Sequence, residues 1–305
     1  MNIPILHIPC EKAENLLDHL SGWNNQLELD QFIFRGLSNS DHGLIPKALR
    51  ECEQAIIYQI GGDTDTAQGD RELASNQQLI EWKVLRKFYQ VCDRNGLSVP
   101  NIRSLREDVH LEDALPRFDH FQAGRIWPAF DYLELLGLAQ HYGLPTRLLD
   151  WTNDPMTACF MACYKPNSES SSISVWALNR HLLGQIPESE AIDGLQFVTP
   201  NYHGNANLAA QSGTFTVILE HAQLTLGSAT KGDLSSMKIN RSPLDQKVSN
   251  IMANNSQQID QTAMIKYSLP KGEIARLRRI LKSMNYGVSK HFPGYQGVVD
   301  QLGEF

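Results

Sequence analysis

Residues 139–152 read AQHYGLPTRLLDWT and join an apolar helical run to a short apolar, strand-like run through a sharp turn. Gly143 and Pro145 favour that turn, because glycine reaches backbone angles closed to other residues and proline fixes its own φ. Polar and aromatic side chains are concentrated here, namely Gln140, His141, Tyr142, Thr146, Arg147, Asp150, Trp151 and Thr152. Polar groups embedded in apolar segments seldom lie isolated in a core, so this stretch is the first candidate for a functional surface.

Within the stretch, Arg147 and Asp150 lie three residues apart. Side chains at that spacing on an extended chain point to opposite faces, so the two are not expected to pair with each other. One of them would serve the core and the other a cleft. His141 ends a helix predicted over residues 130–142, where the negative end of the helix dipole favours the protonated ring.

A second polar position interrupts the apolar segment FIFRGL at residues 32–37. Phe32 to Phe34 predict a strand that stops at Gly36, which places Arg35 at its C-terminal end. In one interpretation, Arg35 clamps a phosphate or carboxylate while Gly36 lets a ligand approach the backbone. In the other, Arg35 forms a structural ion pair with an acidic residue such as Asp150.

Two further segments have a functional and a structural interpretation. Gln211 precedes a strand predicted within residues 209–220, where its amide could position a ligand or simply belong to a tight turn. His291 begins the segment HFPGYQG (291–297), whose Phe-Pro-Gly is most simply the cap of the C-terminal helix. We predict that Arg35, His141, Arg147 and Gln211 line one concave site.

The elements around these segments predict an α+β fold. Asp154 and Pro155 indicate the start of an apolar helix over residues 156–164, and strands are predicted over 173–179 and 264–270. Because strands and helices do not alternate regularly, we expect a small mixed sheet of three to five strands with helical insertions. The expected organisation is a helical preamble (1–26), a main domain (27–225), and a loop with a C-terminal α/β tail packing on that domain (226–305).

Composition narrows the class of protein. The chain has 305 residues, of which 42% are hydrophobic and 20% charged, as in a folded protein with a core. The net charge of −7 argues against a broad nucleic-acid surface, although it leaves room for a local basic pocket. Five cysteines without a Cys-x-x-Cys pair suit core thiols in a reducing cytoplasm. Since no stretch approaches the roughly 18 apolar residues of a membrane span, we expect a cytoplasmic protein without membrane contact.

Several standard motifs are absent from the sequence. It contains no Gly-x-Gly-x-x-Gly, no Walker-type phosphate loop, no Gly-x-Ser-x-Gly elbow and no His-Glu-x-x-His. The ten histidines show no pair with metal-ligand spacing on an obvious helix. We therefore predict no metal site.

Together, these segments resemble the FRG-domain family, which is named for its Phe/Tyr-Arg-Gly motif. That motif is Phe34-Arg35-Gly36 here, and the family's longest signature, Gln-His-Tyr-Gly-Leu-Pro-Thr-Arg-Leu-Leu-Asp-Trp, is unbroken at residues 140–151. Weaker matching positions are Asp154, Pro155, Ala158, Ala162, Gln211, Gly213, Phe215, Thr216, Phe292, Pro293 and Gly297. The family occurs mainly in bacteria and their phages, so the resemblance implies a role in bacterial conflict, stress response or phage defence.

The arginine-glycine pair on a first strand is also similar to a motif of arginine-type ADP-ribosyltransferases, where the arginine holds NAD. The Ser-Thr-Ser segment and the catalytic glutamate pair of those enzymes are not evident here. This resemblance implies an NAD-using transferase or an NAD-binding protein that needs no metal. The implied catalytic residues are Asp150, His141 and Gln211, and the implied cofactor-binding residues are Arg35, Gly36, Tyr142, Arg147 and Trp151.

In that scheme Arg35 holds the pyrophosphate, and Asp150 is the carboxylate nearest the reacting sugar. Glu134 is expected to miss the site, because it lies about 10 Å from His141 along the predicted helix. Glu220 is also expected to miss it, because it lies about 30 Å from Gln211 if the strand between them is extended. The alternative comes from a different class: a non-enzymatic module whose polar cleft binds a nucleotide, another small molecule or a partner peptide. The target of either class could be a protein or a nucleic acid.

Overall fold

A computed structural model describes residues 5–24, 28–106, 126–166, 169–185, 194–199, 210–221, 238–254 and 262–303. The strands within them are β1 (Ile5–Pro9), β2 (Phe32–Leu37), β3 (Ile126–Trp127), β4 (Leu149–Thr152), β5 (Ser172–Asn179), β6 (Leu195–Val198), β7 (Gly213–Ile218), β8 (Glu220–His221) and β9 (Met264–Pro270). The first helices are α1 (Ala13–His19), α2 (Gln54–Gly61), α3 (Gln68–Arg71), α4 (Ala74–Arg94), α5 (Arg103–Arg106) and α6 (Leu133–His141). The later ones are α7 (Pro155–Tyr164), α8 (Arg180–Gly184), α9 (Leu244–Asn254), α10 (Ile274–Ser283), α11 (Val288–His291) and α12 (Tyr295–Leu302).

Seven of the described strands form one mixed sheet in the order β1-β9-β5-β2-β4-β7-β6. β1 runs parallel to β9, and the other neighbouring strands are antiparallel. β3 and β8 pair as a separate two-stranded sheet. The α+β class is confirmed, whereas the expectation of three to five strands was wrong.

The strands that the sequence did not reveal are the two edges of the sheet, β1 and β6. β1 lies in the stretch expected to be a helical preamble, and β6 lies in residues 183–208, a stretch of low hydrophobicity in which no strand is predicted. Each side chain of β1 is exposed or half-buried, and three of the four in β6 are half-buried. An edge strand therefore lacks the clear alternation of apolar and polar residues that predicts strands from sequence.

Helix α7 packs against β2 at the centre of the fold. Asp154 caps this helix through a hydrogen bond from Met156 N to Oδ1 at 2.9 Å, as the sequence predicted. A Cβ atom at Gly36 would lie 2.0 Å from Ala158 O and 2.6 Å from Ala162 N. Gly36 therefore allows the backbone of α7 to pack closely against β2. This corrects the expectation that the glycine lets a ligand approach.

The two faces of the sheet bury different clusters. One face packs against α1, α7 and α10. The opposite face carries Ile33, Trp151 and Trp176, and it packs against α9; we call it the α9 face. At the β7 end of the sheet, α4, α5 and α6 pack around Trp127 and Phe215. Among the described residues, no helix is both long and apolar enough to cross a bilayer.

Replacing Gly36 by alanine should destabilise the protein by about 3 kcal/mol, at the upper end for overpacking, because the new methyl meets backbone atoms that cannot rotate away. Gly272 provides the control, since a Cβ atom there meets nothing within 4 Å. Gly272→Ala should change the free energy of unfolding by less than about 0.5 kcal/mol. Urea unfolding of both variants tests this, and equal stabilities would contradict the close approach of α7.

Candidate functional site

Arg35 ties β2 to β4 beyond the point where the two strands pair. That pairing joins Phe34 to Thr152. Next to it, Arg35 Nη1 donates to the main-chain oxygen of Asp150 at 2.5 Å and lies 3.5 Å from Asp150 Oδ2. Arg35 therefore forms the ion pair with Asp150 that was its structural interpretation from the sequence.

The guanidinium of Arg35 is largely buried, with 14% of the side chain exposed. Burial lowers the pKa of Arg35, Asp150 opposes that shift, and the like charge of Arg50 adds to it. Within the described part of the chain, Arg35 Nε has no hydrogen-bond partner. Arg35 thus keeps a donor beyond those that its structural ion pair uses.

Asp150 presents a fixed carboxylate to solvent. Its side chain is 61% exposed, yet Oδ1 accepts a hydrogen bond from Gln140 Nε2 and Oδ2 lies beside Arg35. Gln140 in turn accepts from the hydroxyl of Thr146, which also accepts from Leu148 N at 3.2 Å. The Gly-Leu-Pro-Thr turn therefore positions the carboxylate, and its outer side stays open.

At the end of α6, His141 is close enough to Asp150 for the carboxylate to act on its pKa, and Tyr142 is the next residue. The two rings meet edge to face, with centroids 5.0 Å apart, and Tyr142 is 70% exposed. Burial lowers the pKa of His141, although Asp150 acts in the opposite direction. This is the reverse of the shift expected from the helix dipole, because the ring loses more from desolvation than it gains from the helix end.

Arg147 lies inside the protein, with 3% of its side chain exposed. Its Nε donates to Glu81 Oε2 at 2.6 Å and its Nη1 donates to Glu220 Oε2 at 2.5 Å. Burial alone would lower the pKa of Arg147, but Glu220 and Glu81 outweigh it and raise the pKa. Arg147 serves the core and Asp150 the surface, the division that the alternation along the strand predicted.

The other residues of the sequence hypothesis are dispersed. Trp151 is 3% exposed and its Nε1 donates to Thr216 Oγ1 at 2.8 Å, so neither face of the indole is open for stacking. Gln211 lies at the other end of β4, where its carbonyl accepts from the Thr152 hydroxyl and its amide donates to His291 O at 3.1 Å. The structure therefore brings Arg35, His141 and Asp150 together and places Arg147 and Gln211 elsewhere.

Residues 30–171 match the family model of the FRG domain. The chain therefore contains an FRG domain over this segment. The matched segment contains β2, β4, α7 and the whole Arg35–Asp150 site. No curated protein and no solved structure matches the chain.

A cavity of about 20 Å³ lies on the α9 face of the FRG-domain protein and is lined in part by Arg147, Glu220 and Lys247. It has room for about one water molecule, next to Arg147 Nη2, which has no partner among the described residues. Leu149 lines the cavity, and Asp150, the next residue of β4, points to the other face of the sheet. The cavity is too small for a nucleotide and does not contain the candidate carboxylate.

The sequence interpretation missed a buried cluster around His291. This ring is 0% exposed and stacks on Phe160 at 4.0 Å. Its Nδ1 lies 2.8 Å from Gly287 O and its Nε2 lies 3.1 Å from the Thr157 hydroxyl, which is 2.9 Å from Asp154 Oδ2. The cluster holds the C-terminal helices against α7, and its partners are too far apart in the sequence for any local pattern to reveal them.

The segment Phe292-Pro293-Gly294 lies at the ends of two short C-terminal helices, with Phe292 as the C-cap residue of α11 and Gly294 as the N-cap residue of α12. Helix α10 already ends at Ser283, and the segment separates α11 from α12. Gly294 has a φ of 116°, which other residues rarely adopt. Among the described residues, no group of three or more His, Cys, Asp or Glu side chains is placed to hold a metal ion.

Breaking the Arg147 ion pairs should cost about 3–5 kcal/mol, because Arg147→Met leaves the carboxylates of Glu81 and Glu220 buried without their partner. The control is Arg276→Met, since Arg276 and its partner Glu14 are 46% and 45% exposed. Loss of an exposed pair should cost less than about 1 kcal/mol. Chemical unfolding measures both, and a small loss for Arg147→Met would show that this arginine is not structural.

The free energy of unfolding should fall as the pH drops below about 6.5. Burial lowers the folded-state pKa of His291 from its usual value of 6.5, so the unfolded chain binds the proton first. The stabilising contribution is complete above the unfolded pKa and is lost as the pH falls toward the folded pKa. In His291→Gln, urea unfolding between pH 5 and 8 should show a smaller slope, and an unchanged slope would contradict this role.

Proposed function

We propose that this FRG-domain protein binds a nucleotide of the NAD type beside Asp150 and Arg35, and transfers or releases its ADP-ribose portion. The observation that carries the proposal is the carboxylate of Asp150, fixed on one side and open on the other. In a bacterium, such an activity would serve conflict or stress response.

The chemistry requires a fixed negative charge. When the bond between the sugar and nicotinamide breaks, nicotinamide leaves with the electron pair and positive charge develops on the sugar carbon. Asp150 would stabilise that charge, and Arg35 and Gln140 keep its carboxylate oriented without reorganisation. An acceptor hydroxyl, amine or water then bonds to the sugar carbon and gives up its proton.

His141 is the candidate acceptor of that proton. Because burial lowers its pKa, the ring is neutral near pH 7 and has a lone pair available. The electrostatic effect of Asp150 on this ring places the two groups near each other. The exposed ring of Tyr142 would supply a stacking surface for a base.

A binding module without catalysis is the second candidate, and one observation favours it. Gln140 donates a hydrogen bond to the Asp150 carboxylate, and Arg35 lies beside it. A carboxylate held in this way could accept hydrogen bonds from two ribose hydroxyls without taking part in a reaction. A transferase of this type would also use a glutamate. Glu220 does not fill that role, because its carboxylate accepts a hydrogen bond from Arg147. In this case the protein would bind the nucleotide and leave it intact.

Asp150→Asn separates the two candidates. The change removes the charge and keeps the shape, so nicotinamide release from NAD should fall about 100- to 1000-fold while the protein stays folded. Glu134→Gln is the matched control, at an exposed position of α6, and should retain full activity. Release of nicotinamide is measured chromatographically, and NAD binding by calorimetry.

The outcomes are distinct. Binding of NAD without release by the wild-type protein would favour the binding module. Full activity in Asp150→Asn would remove Asp150 from the reaction, and absence of both binding and release would overturn the proposal.

A further inference from the structure

The α9 face of the sheet carries a row of side chains that meets the Asp150 site only at Arg35. Arg35 on β2 lies directly opposite Trp176 on β5, and Trp176 lies opposite Lys266 on β9. Residues directly opposite each other in antiparallel strands share a face. Lys266 Nζ lies 5.3 Å from the centre of the Trp176 ring, and Arg35 is the cross-strand neighbour of Trp176 on the other side.

Three hydrogen-bond donors in and beside this row lack partners. Among the described residues, Trp176 Nε1, Ser174 Oγ and Arg35 Nε have none. Trp176 is 4% exposed and Ser174 is 1% exposed, and Ser174 lies two residues before Trp176, so it points to the same face. Buried donors are nearly always paired, and three neighbouring exceptions indicate an acceptor that they are arranged to meet.

The charge of the surroundings identifies the acceptor as an anion. Arg35 and Lys266 lie in the row, and Arg50 is close enough to act on the pKa of Arg35. A phosphate group offers several acceptor oxygens with negative charge, which suit an indole N–H, a hydroxyl and a guanidinium together. A planar carboxylate has fewer acceptor sites for donors that come from two strands.

The row is covered by residues 38–45, which follow β2. Lys266 Nζ donates to Ser40 O at 2.6 Å, and Ser40 N donates to Ser172 O at 2.9 Å. Leu44 packs in the same cluster as Trp176. A ligand that enters this space must displace the covering segment, and the bond between Lys266 and Ser40 is the contact that closes it.

We propose that Arg35, Trp176 and Ser174 form a phosphate-binding subsite beneath residues 38–45. The identity of the molecule that carries the phosphate rests on the proposed function, whereas the subsite itself does not. A nucleotide phosphate and free inorganic phosphate share the chemistry that this subsite recognises.

The test follows the indole N–H resonances of the full-length chain, which has five tryptophans. Trp176→Phe assigns the Trp176 signal. Inorganic phosphate, pyrophosphate and AMP should move that signal, whereas adenosine, or sodium chloride at matched ionic strength, should not. Movement with AMP and not with inorganic phosphate would identify a nucleotide as the source, and movement with both would show that the phosphate alone suffices.

Affinity gives a second measurement. Ser174→Ala and Trp176→Phe should each weaken AMP binding about tenfold, the effect of one lost hydrogen bond to a charged group. Trp23→Phe, at a site that is 73% exposed, should leave the affinity unchanged. If Trp176→Phe does not fold, the AMP affinity of Ser174→Ala measured against the wild-type protein still decides.

The proposal is overturned if phosphate-bearing ligands leave the Trp176 signal in place, because the donors would then be satisfied by water alone. Failure of this proposal and failure of the proposed function can be told apart. Phosphate binding without release of nicotinamide from NAD would support the subsite and contradict the proposed reaction. Release of nicotinamide with an unresponsive Trp176 signal would support the reaction and contradict the subsite.

Discussion

The buried guanidinium of Arg147 joins three parts of the chain. Glu81 comes from the long helix α4, Glu220 from β8, and Arg147 from the segment that leads into β4. Each charge would be costly in the core alone, and together they hold the helical layer against the sheet. Because Arg147 follows the Gly-Leu-Pro-Thr turn directly, its anchorage also fixes the turn that positions Gln140 and Asp150.

The local sequence pattern was sufficient to predict β9 and α7, in which most side chains are buried. Strand β9 lies at the predicted residues 264–270, and α7 begins at Pro155 after the Asp154 cap. The edge strands lacked an alternating pattern, and α9 lay in a segment of low hydrophobicity. For Gly36, the prediction of a close approach was right, and the prediction that a ligand makes it was wrong. A sequence can indicate that a position needs glycine, but it does not show which neighbouring group occupies the space.

The two arginines show why the site could be predicted only in part. Arg35 and Arg147 both lie in apolar segments, and both were expected to bind the cofactor. Their difference lies in partners that are distant in the chain: Arg147 finds two carboxylates that are largely buried, whereas Arg35 finds one carboxylate that is mostly exposed. The charge of a buried cation is balanced where it has two buried anionic partners, and a cation with a single exposed partner can still bind an anionic ligand.

Arg35 also links the two faces of the sheet. Its side chain lies on the α9 face opposite Trp176, yet Nη1 reaches the main chain of Asp150, whose carboxylate points to the other face beside Gln140. This is possible because β2 and β4 pair at Phe34 and Thr152, next to where Arg35 bridges them. A ligand with its phosphate at Trp176 and its sugar at Asp150 would therefore pass along one guanidinium, and any movement of Arg35 would affect both ends together.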